Sequence, residues 1–202
     1  MSLAQRIELS ESSWLDLFDL PEELVPDETL FEVLWDLHPN NHAKVMIQGK
    51  LIPIPRFQQA YLRDYKFSGV VSKAVEMPEP FQPYLDWAND QGYGTFNEVL
   101  VNWYQNGSNY IGSHSDDEKQ LVPGSPIVTI TLSGEGLPRI FRVRSKKDKS
   151  IVQDLQTLNG NVIVMGGDCQ KEFKHEIVKA TGKKASQMAS RISITLRQFK
   201  GK

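Results

Sequence analysis

Two segments of the chain place apolar residues at helical spacing. Residues 28–37 follow Asp27, whose side chain can cap a helix, and residues 80–91 precede two glycines, which favour helix ends. The apolar positions are Leu30, Val33, Leu34 and Leu37 in the first segment and Phe81, Tyr84, Leu85 and Ala88 in the second. We predict two helices, each with one buried stripe.

β-Branched and aromatic residues dominate much of the remaining chain. Residues 45–69 predict a hairpin around a Gly-Lys turn, followed by an extended loop whose two prolines suit sheet edges. From residue 96 onward, short β-like runs alternate with turn residues, which is typical of a sandwich or barrel. These runs are FNEVLVNWY, PIVTITL, RIFRVR, NVIVMG, FKHEIV and RISITLRQF.

The last run alternates strictly between apolar and polar residues. Side chains alternate across a strand, so one face carries Ile192, Ile194 and Leu196, and the other carries Arg191, Ser193, Thr195 and Arg197. An exposed sheet face with solvated arginines would give this pattern. A strand lining an anion pocket would give it too, because a planar guanidinium matches carboxylates.

Composition narrows the class of protein. The chain has 202 residues, 40% of them hydrophobic, so we expect one domain with a substantial core. Its formal net charge is −2, so affinity for nucleic acid would need a local basic patch. The single cysteine, Cys169, excludes an internal disulfide and a thiolate zinc cluster. We find no membrane-length apolar run and no secretory signal, and expect a soluble intracellular protein without a membrane partner.

A histidine lies beside three carboxylates in the segment IGSHSDDE. Crowded carboxylates repel one another, so the segment is either a solvated turn or a cation site. His114 and Asp116 project to the same side of an extended segment, and His175 would complete the two-histidine, one-carboxylate set of non-haem Fe(II) sites. His38 and His42 lie in a predicted turn and are interpreted as loop residues.

The order of these residues resembles the AlkB family of Fe(II)- and 2-oxoglutarate-dependent dioxygenases. The family pattern is met in order by Asn102, Tyr104, His114, Asp116, His175, Arg191 and Arg197. The resemblance implies a mainly β fold with flanking α-helices. Residues 96–199 would form a double-stranded β-helix (jelly-roll) core. They would be preceded by an N-terminal helical part (1–44), a nucleotide-recognition lid (45–69) and a supporting helix (70–95).

The resemblance also implies a role for each site residue. Iron would be bound by His114, Asp116 and His175. Arg191 would bind the far carboxylate of 2-oxoglutarate, supported by Asn102 and Tyr104, and Arg197 would bind the carboxylate beside the keto group. Many relatives have asparagine where this chain has Ser193. We therefore expect Ser193 to be a weaker co-substrate contact, beside Thr195.

The chemistry implied by the resemblance is oxidative demethylation of nucleobases. With Fe(II), O2 and 2-oxoglutarate, such enzymes oxidise an N-methyl group, which leaves as formaldehyde, while 2-oxoglutarate becomes succinate and CO2. We expect a monomer that repairs 1-methyladenine and 3-methylcytosine in DNA, nuclear in a eukaryote and cytoplasmic otherwise. The alternatives are an RNA demethylase, a protein or small-molecule hydroxylase, and a non-catalytic nucleic-acid-binding module.

Several residues are expected to contact the substrate. Tyr65 and Phe67 resemble an aromatic pair that stacks on the damaged base, although strand core positions would favour the same residues. Asp117 would attract a cationic methylated base, whereas Glu118 is interpreted as a solvated acid. The remaining contacts expected from the lid are Gln48, Gly49, Lys50 and Arg56.

The hairpin tip departs from duplex-acting relatives, which carry an apolar wedge there. Gln48 is polar, which weakens the expectation of a duplex preference, although Ile47 and Leu51 could serve instead.

Residues 139–149, RIFRVRSKKDK, form a local basic patch. Its cationic residues are Arg139, Arg142, Arg144, Lys146, Lys147 and Lys149. Such a run would bind phosphates, but Lys-Lys-Asp-Lys is also an ordinary hairpin turn.

Overall fold

The computed structural model describes residues 5–67, 70–116 and 119–201. Its first eight strands are β1 (Gln5–Glu8), β2 (Ser13–Asp19), β3 (Lys44–Ile47), β4 (Lys50–Pro53), β5 (Phe57–Tyr61), β6 (Tyr65–Phe67), β7 (Val70–Ser72) and β8 (Ala74–Val75). The later strands are β9 (Glu98–Tyr104), β10 (Ile111–His114), β11 (Ile127–Ser133), β12 (Arg139–Ser145), β13 (Ile151–Thr157), β14 (Asn161–Gly167), β15 (Phe173–Ile177) and β16 (Arg191–Arg197).

The α-helices are short and lie between strands. They are α1 (Glu28–Trp35), α2 (Gln82–Asp90), α3 (Cys169–Glu172) and α4 (Gly182–Gln187). Two 3-10 turns span Glu22–Leu24 and Glu79–Phe81. Within the described ranges, no helix is long and apolar enough to cross a membrane.

Two sheets form the body of the fold. The larger has the order β1-β2-β14-β11-β16-β9-β5-β8, and the smaller has the order β10-β15-β12-β13. Neighbours within both sheets are antiparallel, except that β5 and β8 are parallel. This mainly β architecture with flanking helices confirms the predicted jelly-roll fold class.

Both faces of the larger sheet are buried. One face packs against α1 and α2 through residues such as Leu34, Phe81 and Ile194. The opposite face lies toward the smaller sheet, where Ile127 and Ile163 meet Phe141 and Ile177. A strand inside this sheet therefore has no exposed face, and every residue of β9 and β16 is buried.

The first predicted helix is confirmed, but its buried stripe is corrected. The Asp27 carboxylate accepts a hydrogen bond from the Leu30 amide at 2.8 Å and caps α1. The buried residues are Phe31 and Leu34, whereas Leu30 and Val33 are exposed. Phe31 stacks on the half-buried Trp35, so the aromatic residues set the rotation of the helix.

The second predicted helix is confirmed together with its stripe. Tyr84, Leu85 and Ala88 of α2 are buried, as is Phe81 in the preceding 3-10 turn. The chain leaves the helix through Gly92, whose φ of 78° lies in the left-handed region that glycine adopts without steric cost.

The N-terminal part is not purely helical, which corrects the prediction for residues 1–44. Strands β1 and β2 precede α1 and extend the larger sheet beside β14. The sequence pattern of these strands is weak because polar residues interrupt them. On β2, Asp16 is buried, and its carboxylate is satisfied by hydrogen bonds from Arg6. The predicted supporting segment 70–95 likewise includes β7 and β8 before α2.

The lid contains the predicted hairpin, but its turn lies one residue earlier than expected. Strands β3 and β4 pair antiparallel, with Ile47 opposite Lys50. Gln48 and Gly49 therefore form a two-residue turn, both with positive φ, which matches the right-handed twist of the strands. The segment predicted as an extended loop supplies β5 and β6.

A buried carboxylate ties the N-terminal strands to the loop after α2. Asp16 accepts two hydrogen bonds from Arg6, at 2.6 and 2.7 Å, and one from the Tyr93 hydroxyl at 2.7 Å. Burial alone would raise the pKa of Asp16, but these hydrogen bonds lower it below its ordinary value.

Asp16→Asn is expected to lower the free energy of unfolding by about 1–3 kcal/mol at neutral pH, because it removes charge-assisted hydrogen bonds. Since the pKa of Asp16 is lower in the folded state, its contribution is present above the unfolded value of about 4 and is lost as pH falls through the folded value. Urea unfolding from pH 7 to pH 2 should show a smaller loss of stability on the acid side for the variant. Tyr93→Phe, which removes a single donor, is the milder control, and parallel pH profiles for Asp16→Asn and the parent would contradict this account.

Candidate metal and co-substrate site

Three side chains predicted to bind metal lie together between the sheets. Strands β10 and β15 pair so that His114 lies opposite His175, and Asp116 follows two residues after β10. Their ligand atoms lie within 4.8 Å of one another. The Nε2 atoms of His114 and His175 are 3.6 and 3.9 Å from the Asp116 carboxylate oxygens. One ion could contact all three.

The protonation states suit a metal site. Burial, with His114 nearby, lowers the pKa of His175 to about 3, and burial also lowers the pKa of His114. Burial alone would raise the pKa of Asp116, but Arg197 and the histidines lower it. At neutral pH the site therefore offers two neutral imidazoles and one ionised carboxylate, the forms that bind metal.

Local contacts aim these ligands. The His114 Nδ1 lies 2.9 Å from the Gly112 carbonyl oxygen, which can only accept, so this nitrogen carries the proton and Nε2 is left to bind. The His175 ring stacks on Phe141 at a centroid distance of 5.4 Å. The Asp116 Oδ1 has no hydrogen-bond partner among the described residues, which fits an atom that binds a cation.

Arg197 holds the metal carboxylate from the opposite sheet. Its guanidinium donates to the Asp116 Oδ2 at 3.0 Å and to the Glu98 Oε2 at 2.8 Å. Burial alone would lower the pKa of Arg197, but the charges of Asp116 and Glu98 raise it. Its predicted contact with the co-substrate stays a prediction; in the structure it lies at the metal end of the pocket.

Glu98 is a site residue that was missed in the sequence. Strand β9 is apolar at Val99, Val101 and Trp103, which belong to the core beneath the helices. Asn102 and Tyr104 of β9 were predicted to be site residues. Because side chains alternate along a strand, Glu98 lies on the same face as both and could have been found in this way.

Arg191 is a buried cation that has no carboxylate partner among the described residues. It is fully buried, and its Nη2 donates to the Thr131 hydroxyl at 2.9 Å. Its Nε and Nη1 have no hydrogen-bond partner within the described part of the chain. Burial lowers the pKa of Arg191 to about 10, with Tyr104 acting in the opposite direction. A buried cation with two unused donors calls for an anionic ligand.

The predicted co-substrate residues line the same pocket. Register places Tyr104 opposite Arg191 and Asn102 opposite Ser193 across β9 and β16. The pocket wall also includes Thr195 and the three metal ligands. The interpretation of β16 as an exposed face is thereby excluded, because its polar residues face this pocket and its apolar residues face the helix-covered core.

Arg56 is buried in the pocket wall and not on an accessible surface. Its Nε donates to the Asn102 Oδ1 at 2.7 Å, and its Nη2 donates to the Gln58 Oε1 at 3.0 Å. Only 4% of the residue is exposed. The structure therefore places Arg56 behind the predicted co-substrate residues, which corrects its expected position on an accessible lid.

The remaining lid residues lie in different environments. Tyr65 is buried, lines the metal pocket, and has the Arg197 guanidinium 4.7 Å from its ring centroid. Phe67 lies on β6 opposite Val70. The residues at the hairpin tip, Gln48, Gly49 and Lys50, are exposed. Asp117 and Glu118 lie outside the described residues.

The predicted basic patch is corrected for its arginines. Arg139 is buried, and its guanidinium donates to the carbonyl oxygens of Asn106 and Asn109 at 2.8 and 2.5 Å. Arg142 makes two 2.7 Å hydrogen bonds to Asp154, and Arg144 donates to Glu176 at 2.8 Å. These side chains are therefore already engaged within the protein.

The fold and the site define a class. A jelly roll whose interior holds two histidines and one carboxylate, beside an unpaired arginine, suits a non-haem iron centre with an anionic co-substrate. Asp116 and Arg191 both fit, because each keeps buried polar atoms without partners among the described residues.

Comparison with known proteins identifies the family. Residues 54–197 match the 2OG-Fe(II) oxygenase superfamily, and the chain belongs to that superfamily. It is 32% identical to the human DNA oxidative demethylase ALKBH2 over 169 residues, which is 78% of this chain and 61% of the human protein. The mouse protein of the same name is 33% identical over 169 residues, 78% of this chain and 67% of its own length. The chain thus spans about three-fifths of its human relative, and the predicted family resemblance is confirmed.

A solved structure supports the fold alone. The protein OsALKBH1 superposes with a TM-score of 0.60 at 16% identity, covering 91% of this chain and 97% of the other.

Arg191→Met is expected to leave stability equal or higher, because it removes an uncompensated buried cation. The same change should weaken 2-oxoglutarate binding about 30-fold or more, since a buried charge pair would lose one partner. Thermal unfolding and calorimetric titration of 2-oxoglutarate, with Co(II) in place of Fe(II), would measure both, and Co(II) affinity serves as the control. Unchanged 2-oxoglutarate affinity would refute the assigned role.

Arg139→Ala is expected to lower the free energy of unfolding by about 2–4 kcal/mol, because the change removes a buried side chain and its hydrogen bonds to the half-buried carbonyls of Asn106 and Asn109. The salt dependence of binding to a single-stranded oligonucleotide should not change. Urea unfolding and titrations at several salt concentrations would test this, with the exposed Lys147→Ala as a stability-neutral control. A reduced salt slope for Arg139→Ala, at unchanged stability, would restore the phosphate-contact interpretation.

Proposed function

We propose that this protein is an oxidative demethylase of N-alkylated nucleobases, acting on 1-methyladenine and 3-methylcytosine in DNA with Fe(II), O2 and 2-oxoglutarate. The products are formaldehyde, succinate and CO2. The observation that carries the proposal is the pairing, in one pocket, of the His114–Asp116–His175 cluster with the unpaired Arg191. The names of the human and mouse relatives support the choice of DNA.

The protein's own groups hold and orient the reactants. His114, Asp116 and His175 bind the iron, and Arg197 fixes the Asp116 carboxylate so that Oδ1 is left for the metal. Arg191 binds the far carboxylate of 2-oxoglutarate through its unused Nε and Nη1 donors. When bound, iron with O2 and 2-oxoglutarate supplies the oxidation of the methyl group.

The substrate base enters from the lid side of the pocket. Tyr65 lines both the metal pocket and an adjoining cavity of about 200 Å³ beneath the lid. An aromatic wall at this junction suits a base removed from its stack. From the family resemblance, we also propose Phe67 and Asp117 as contacts to the base.

Demethylation of RNA by the same chemistry is a second candidate. The hairpin turn presents Gln48 at its tip, with Ile47 and Leu51 about half exposed on the adjoining strands. A polar tip fills the gap left by a flipped base in a duplex less well than an apolar tip does. The hairpin therefore favours single-stranded nucleic acid, in which no such gap forms.

Incubation of the iron-loaded chain with 2-oxoglutarate and methylated oligonucleotides should release formaldehyde and succinate in equal amounts. We expect turnover with methylated single-stranded DNA, less with duplex DNA, and we include RNA of the same sequence as a third arm. Mass spectrometry of the base and quantification of both small products would measure it.

Asp116→Asn is the matched control, because it keeps the size of the side chain and removes the charge that binds iron. It should reduce all products to background while far-UV circular dichroism stays unchanged. Turnover of RNA alone would favour the second candidate, and no turnover on any strand, with metal binding intact, would refute the demethylase proposal.

A further inference from the structure

Gln58 lies where two cavities meet. It lines the metal pocket and also the cavity of about 200 Å³ beneath the lid, and Tyr65 is the only other described residue that lines both. Strand β5 places Gln58 opposite Asn102 of β9, so its position is fixed by the larger sheet. It is 7% exposed. A group placed here would be near both the reacting centre and any base that enters through the lid.

The orientation of the Gln58 carboxamide is set by Arg56. The Arg56 Nη2 donates to the Gln58 Oε1 at 3.0 Å, and a guanidinium can donate but cannot accept. The oxygen of the carboxamide must therefore face Arg56, and the NH2 group must point away from it. The Arg56 Nε also donates to the Asn102 Oδ1 at 2.7 Å, so contacts on both sides orient its guanidinium.

The NH2 group of Gln58 can still donate hydrogen bonds to a ligand. No described residue accepts a hydrogen bond from the Gln58 Nε2. A donor at the pocket wall without a protein acceptor must be satisfied by water or by a ligand, so this group favours a ligand that carries an acceptor.

The two proposed substrate bases differ in the acceptor they can offer. In 3-methylcytosine the methylated N3 is flanked by the C2 carbonyl oxygen and the exocyclic amine. In 1-methyladenine the methylated N1 is flanked by a C–H group and the exocyclic amine. A donor near the reacting methyl group can therefore bond to an atom beside it in the cytosine but not in the adenine.

We propose that Gln58 is a specificity-determining residue that donates a hydrogen bond to the C2 oxygen of an N3-methylated pyrimidine and so favours 3-methylcytosine over 1-methyladenine. The inference rests on the proposed demethylase function and adds a preference between its substrates. By the same chemistry, 3-methylthymine shares the favoured acceptor, because it also carries an oxygen at C2.

The test compares two variants of the full chain loaded with Fe(II) and 2-oxoglutarate. Gln58→Glu keeps an oxygen for Arg56 and replaces the donor by an acceptor, whereas Gln58→Leu removes both. The substrates are single-stranded oligonucleotides of one sequence that contain 3-methylcytosine, 3-methylthymine or 1-methyladenine. The quantity measured is the ratio of kcat/KM values between bases, because a change in iron or 2-oxoglutarate binding would alter all three values equally.

Both variants should lower the ratio of 3-methylcytosine to 1-methyladenine turnover about three- to tenfold, as expected for one hydrogen bond. The ratio of 3-methylthymine to 1-methyladenine should fall with it. Gln59→Leu is the matched control on the same strand, because Gln59 lines neither cavity and binds the carbonyl oxygens of Ala60 and Lys73. Its ratios should equal those of the parent.

A substrate-side measurement makes the result independent of how well the variants fold. Replacing the C2 oxygen of 3-methylcytosine by sulfur weakens the acceptor, so turnover by the parent should fall, while turnover by Gln58→Leu should fall less. An unchanged ratio, or an equal fall for all three bases, would overturn the assignment of Gln58 alone. Parent protein that demethylates none of the bases would instead overturn the proposed function, and the inference with it.

Discussion

The metal site depends on one buried interaction, in which the guanidinium of Arg197 lies between the carboxylates of Asp116 and Glu98. Removing three charges from water costs several kcal/mol for each ion, and close hydrogen bonds must offset that cost. The bonds also connect the two sheets. Arg197 and Glu98 face each other on β16 and β9 of the larger sheet, whereas both histidines lie on the smaller. The metal carboxylate is therefore oriented by one sheet and the imidazoles by the other.

The charge balance of the pocket explains why it suits both a cation and an anion. Among the described residues, the pocket lining includes three arginines, Arg56, Arg191 and Arg197, and one carboxylate, Asp116. With Glu98, which pairs with Arg197, two carboxylates stand against three cations and leave an excess of one positive charge. Arg197 uses both carboxylates, and these concentrate negative charge at the metal end. Arg191 has neither, which leaves positive charge at the far end. A dianion with a keto group toward the metal matches this polarity.

Much of the fold and the centre of the site could be predicted because they depend on local pattern. The alternation in β16 correctly assigned its two faces, since a period of two is a property of the strand itself. Residue type and spacing made His114 and Asp116 candidate ligands, and the family resemblance completed the set with His175. Strands β1 and β2 were missed because β1 is mostly exposed and β2 has the polar Asp16 among its apolar residues, where pairing with β14 and hydrogen bonds from Arg6 and Tyr93 hold it.

What the sequence could not show is which charged group each arginine meets. Arg139, Arg142 and Arg144 look alike in RIFRVR, yet Arg139 shares the buried face of β12 with Phe141 and Val143, so alternation could have separated it from the other two. The partners of the other two, Asp154 and Glu176, come from strands β13 and β15, and no rule of spacing links them. Alternation therefore assigns a residue to a face, whereas its role is decided by the strand that packs beside it. The same reasoning applies to Arg191 and Arg197, which share one face of β16. Among the described residues, Arg191 has no carboxylate beside it, whereas Arg197 has two. This difference leaves Arg191 available to an anion and makes Arg197 the residue that orients the metal carboxylate.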